Sequence, residues 1–178
     1  MKIEKNEKFK PIQPLVNKVA QSDLITINLE NYYPQESIYS FDLKDYLFRG
    51  MILREKDFRQ AVKEHDWAQY TGGVLLVYNS VDAIIPMWAY MLIGVSASDY
   101  AKTIYHGTER EYIESYYRDF LANFDIAPFK DGKIVLKGCG KKPVPAAAYM
   151  ELTRKLKPYV KSIMFGEPCS TVPIYKRS

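Results

Sequence analysis

Two thiols hold the most reactive chemistry in this sequence. Cys139 lies in "KGCGKKPVP", between two glycines, with Lys137, Lys141 and Lys142 close by in the chain. Cys169 lies in "FGEPCSTVP", two residues after Glu167 and between Pro168 and Pro173. Positive charge and the open N–H groups of a helix start both favour thiolate over thiol, so Cys139 is placed to be acidic. Thiolates with nitrogen or oxygen donors make mixed sites for zinc or iron. The candidate metal set is therefore Cys139 and Cys169, completed from Glu167, His106 and Asp82. Two sulfurs rule out a four-cysteine iron–sulfur cluster within one chain. The same pair also suits a redox disulfide. A plainer reading stays open, because free cysteine is among the most buried residue types and both thiols can serve as core.

The loop around Cys139 offers a second chemistry. Gly138, Gly140, Lys141 and Lys142 ahead of a helix start form a candidate anion site. The loop is neither a Walker loop, whose spacing is absent, nor a dinucleotide fingerprint, whose third glycine is replaced by Pro143. No G-x-S-x-G elbow occurs, and Cys139 as a nucleophile lacks an evident base. No catalytic residue is assigned, and enzymatic activity is left undecided. Asp82 also reads as a turn residue. His65, on a charged helix face, reads as solvated.

These groups need elements to position them. Alternation predicts strands over "DLITINLE" and "SIYSFDL", and buried runs predict strands at 72–78, 101–105, 133–137 and 160–165. Helices are expected at 11–20, at 54–65, from Pro86 through "MWAYML", from Thr108 and over 144–157. Thr108 with Glu111 is a capping box, and Tyr112, Ile113, Tyr116, Tyr117, Phe120, Leu121 and Phe124 then give one wide apolar face. The run "AIIPMWAYMLIGV" is too short to span a bilayer and predicts a buried helix. Strands alternating with helices indicate an α/β fold, a largely parallel, possibly mixed sheet of about five or six strands with helices packed on it. The N-terminal strands are expected to pair antiparallel at one edge. Residues 1–10 are expected to be mobile and 11–178 to form a single domain.

Ligand sites in open parallel sheets gather outside the carboxyl ends of the strands. Asn79, Ser80 and Asp82, His106, Cys139, and Glu167 with Cys169 each follow a strand. A right-handed crossover through one helix makes the last two strands neighbours or near neighbours, which lets the sulfurs approach within roughly 5 to 10 Å.

Composition narrows the classes. A chain of 178 residues with 47% hydrophobic and 26% charged residues is globular, and needs neither disulfide nor metal merely to fold. The net charge of +4 sits largely at the termini, so nucleic-acid binding is poorly supported. Two cysteines and a charged opening without an apolar segment point to a reducing cytoplasm and no membrane partner.

At "HDWAQYTGG", "DAIIPMWAYML", "KGCGKKPVPAAAY" and "VKSIMFGEPCSTVPIYKR" the chain resembles a bacterial family, the domain of unknown function 2480, found mainly in Bacteroidetes. The resemblance covers essentially the whole chain and supplies identity without chemistry. It implies an association with iron–sulfur cluster assembly, and it singles out Cys139, Glu167, Cys169 and Asp82. Asn79-Ser80 stands where relatives are expected to carry a small or thiol residue, which puts a third cysteine ligand in doubt.

Two readings of function follow. One is a thiol-bearing metal-binding or iron–sulfur-assembly accessory protein, with zinc or iron as its cofactor. The other is a protein-interaction module that docks partners through "STVPIYKR" and the tyrosine-rich helix face, its cysteines being structural. Protein partners are expected under either, and a homodimer is compatible with both.

Overall fold

The computed structural model describes residues 23–138, 140–168 and 170–178. The expected mobile start and the expected helix at 11–20 lie outside these residues, as do Cys139 and Cys169. The described elements run β1 (Leu24–Asn28), β2 (Ile38–Asp42), α1 (Glu55–Glu64), β3 (Val74–Tyr78), α2 (Met87–Ala97), β4 (Thr103–His106), α3 (Glu109–Ala122), β5 (Lys133–Lys137), α4 (Ala146–Leu156), β6 (Ser162–Glu167) and β7 (Ser170–Lys176).

The fold is α/β with mostly parallel strands, divided into two open sheets. One has the order β1-β5-β6-β7 and the other β2-β3-β4. Every neighbouring pair is parallel except β6 with β7. The N-terminal strands therefore do not pair antiparallel with each other; β1 pairs parallel with β5, and β2 with β3. The antiparallel edge is the C-terminal segment β7, which pairs back on β6 as far as Glu167 opposite Ser170. Within that pairing Gly166 has φ +118°, and a Cβ there would stand 2.8 Å from the Ser170 carbonyl oxygen. Pro173 is tolerated there because an edge strand has one side free of ladder bonds.

The apolar runs "VLLVY" and "KIVLK" become interior strands, buried on both faces as parallel strands require. Val74 and Leu76 point into a core shared with Ile27, Ile134, Leu136, Tyr117, Leu121, Leu152 and Ile163. Leu75 and Val77 face the opposite core, with Phe41, Phe58, Trp67, Ala89 and Ile93. The β4–α3–β5 connection carries the chain from one sheet to the other, and α3 packs on α4. Of the described helices, none is long and apolar enough to cross a membrane.

Helix α3 is held at both ends. Thr108 and Glu111 form the expected capping box, with the Glu111 carboxylate 2.8 Å from the Thr108 backbone nitrogen. At the other end the Lys155 ammonium donates to the Leu121 and Ala122 carbonyls, the latter at 3.1 Å. A cation beside the C-terminal carbonyls stabilises a helix. Lys155→Met is expected to lower stability by about 1 kcal/mol in urea unfolding. Its tyrosine face is turned inward: Tyr112 and Tyr117 are buried, while Tyr116, Phe120 and Phe124 pack on the same core.

Helix α2 differs from expectation. It is apolar all round, yet only Ala89, Ile93 and Ala97 are buried, and Met87, Met91 and Val95 stand exposed.

His65 is not solvated either. It follows α1 and folds back over Phe41 and Trp67, with Nε2 2.7 Å from the Tyr70 hydroxyl and Nδ1 3.5 Å from that of Tyr46. Burial lowers its pKa, with Asp66 opposing, and burial pushes Tyr70 up to about 12. The folded state thus favours neutral imidazole. No penalty exists well above the ordinary value near 6.5; it grows as pH falls through that value and is complete below the lowered folded-state value. The unfolding midpoint should drop more between pH 7.5 and 5.5 for wild type than for His65→Gln. Equal drops would show that His65 does not carry the effect.

Candidate functional site

The carboxyl ends of β5 and β6 form the rim that the thiol reading requires. The two strands are parallel neighbours, with Leu136 opposite Phe165. Just beyond that register the Lys137 ammonium meets the Glu167 carboxylate at 2.6 Å. Cys139 and Cys169, outside the described residues, each follow one member of this ion pair by two positions in the sequence. Glu167 is thus already engaged with a cation.

The candidate anion loop has an occupant from its own chain. Asn28 caps the short 3₁₀ turn Leu29–Tyr32 by accepting from the Glu30 backbone nitrogen at 3.1 Å. The Glu30 carboxylate then accepts the Gly140 N–H. A Cβ at Gly140 would stand 2.6 Å from that carboxylate, so a larger residue there would make the Glu30 side chain shift. The Lys142 ammonium lies 5.3 Å from the Tyr33 ring centroid, a cation–π contact, while Lys141 is exposed. Gly138, buried, packs against the Tyr149 hydroxyl. Glu30 is a site neighbour that sequence reasoning did not single out.

An apolar groove of about 800 Å³ reaches this rim. Leu136, Val144, Tyr149, Phe165 and Ile174 line it between α4 and the sheet, with Gly138 at its wall and Arg154 also on its lining. Arg154 is held by Glu151 at 2.6 Å.

His106 and Asp82 belong to the other sheet. His106 ends β4 and packs edge-on against Tyr90, ring centroids 4.9 Å apart. Asp82 is exposed in the loop after β3, where the Asn79 side-chain amide donates to the Val81 and Ala83 carbonyls at 2.7 and 3.1 Å. A well-organised carboxylate on this rim is Asp42, at the end of β2. It accepts from the Ser80 backbone nitrogen at 3.1 Å and from Lys44 at 3.0 Å. Burial alone would raise its pKa, but these hydrogen bonds outweigh burial and hold it below the ordinary value. Among the described residues no three His, Asp or Glu side chains gather in a metal-holding group.

The sequence model of the family described as Protein of unknown function (DUF2480) matches residues 13–177, and the chain belongs to that family. Comparison with curated proteins and with solved structures gives no match.

Proposed function

We propose that this DUF2480 protein is a metal-handling accessory protein, whose working groups are the thiolates of Cys139 and Cys169 and whose metal is zinc or iron. The observation that carries the reading is the parallel adjacency of β5 and β6, whose carboxyl ends lead into the two cysteine-bearing loops. Lysines at 137, 141 and 142 favour the ionised thiols that metal binding demands. Glu167 would join the metal only by leaving Lys137, and His106 and Asp82 stand on the other sheet. Two sulfurs with the remaining positions left to solvent or a partner make an open site, suited to passing a metal on rather than locking it into the fold. The sequence resemblance adds iron–sulfur cluster assembly as the setting. Protein partners and a cytoplasmic location belong to the same proposal.

Metal analysis tests it. Anaerobically purified wild type is expected to carry, or to take up from a chromophoric chelator, about one zinc or iron ion per chain. Wild type that holds neither metal and competes for neither contradicts the proposal.

A further inference from the structure

We propose that the exposed side of α2 is the interface of a homodimer, two copies of this chain crossing antiparallel at Met91. The stretch 83–98 contains no Asp, Glu, Lys, Arg or His. A helix apolar all round is normally buried all round. Here Ile84 is 92% exposed, Met87 70%, Met91 70% and Val95 74%. Together they present on the order of 500 Å² of apolar surface, at the upper end of what a monomer leaves uncovered. That is more than half of the ~800 Å² each partner contributes to a standard interface, before any rim is counted.

The pattern is self-complementary. Met87, Met91 and Val95 stand four apart and form one ridge on the helix. A two-fold axis beside Met91 sets Met91 against its own copy and Met87 against Val95 of the other chain, as an isologous interface requires. Gly94 lies next to Met91 on this face, and a Cβ there would meet nothing within 4 Å. A second helix can therefore approach closely. The rim agrees in charge. Arg59 of α1, whose Nε also pairs with Glu55 at 2.9 Å, lies 5.6 Å from the Trp88 ring in the first turn of α2. Asp99 follows Trp88 by eleven residues, which at 3.6 per turn returns to the same flank beyond the last turn. Antiparallel pairing brings Arg59 of each chain toward Asp99 of the other.

Sedimentation velocity on the full chain, over roughly 1 to 100 μM, is the test. Wild type should sediment as a concentration-dependent dimer. Met91→Glu, which sets two carboxylates face to face at the axis, should weaken the dimer at least about 100-fold while leaving the far-ultraviolet circular dichroism unchanged. Met150→Glu, a control at a 74%-exposed methionine on α4, should leave it intact. Wild type that stays monomeric throughout, or a dimer that Met91→Glu leaves untouched, overturns the proposal.

Discussion

Tyr117→Ala is expected to cost about 3–5 kcal/mol of folding stability, the range for removing a fully buried aromatic side chain. Tyr117 is 1% exposed, at the point where α3 meets both sheets through the shared core. Its hydroxyl donates to the Leu29 carbonyl at 2.8 Å, which ties α3 to the turn that presents Glu30 to the Gly140 loop. Burial and the surrounding phenols and carboxylate push its pKa well above the ordinary tyrosine value, so the hydroxyl remains a donor throughout the working pH range. Tyr117→Phe keeps the ring and leaves the Leu29 carbonyl without that donor, a smaller loss of roughly 1–2 kcal/mol. A domain's net stability is only about 5–15 kcal/mol, so the alanine variant should unfold at markedly lower urea. Two variants of equal stability would mean that the ring contributes nothing beyond the hydrogen bond.

Cys139→Ser and Cys169→Ser should each weaken zinc binding by at least about 100-fold, more than the 10–100-fold that loss of an outer hydrogen-bonding partner costs. Serine keeps the shape of cysteine but stays protonated near neutral pH and is a poor ligand for a borderline-soft ion. The double variant should bind no zinc in chelator competition. Folding should survive in all three, since in the sequence each cysteine falls two positions past the last residue of a strand, Lys137 of β5 and Glu167 of β6. If one variant alone loses binding and the other is neutral, the two thiols do not share an ion.

How far the fold can be read from its residues depends on where the deciding contact lies. Period and caps are local, so the β3 run, the capping box at Thr108 and the β5 run lie where the pattern puts them. The partition into two sheets is not local. It depends on the chain crossing between β1 and β2 and again, through α3, between β4 and β5, and no residue pattern marks either change. The same partition separates His106 and Asp82 from the β5–β6 rim. The exposed half of α2 was hidden for a different reason: an apolar-all-round helix shows no periodicity that says which side is covered. His65 was misread because it follows the last turn of α1, where helix spacing no longer sets its direction. The aromatic run in "HDWAQY" was the available signal. Glu30 could not be found from its neighbours, since its partner Gly140 lies 110 positions away. β7 is missing from the predicted strands because Pro173 interrupts the strand pattern, and only the pairing with β6 reveals an edge strand.

Short-span crosslinking decides whether the sulfurs meet. Native protein treated with a small dibromide that alkylates thiols should gain a single bridge joining Cys139 to Cys169, with two bromides lost, read by intact mass and peptide mapping. Two separate monoadducts, or no reaction before unfolding, would leave the rim without a shared dithiol.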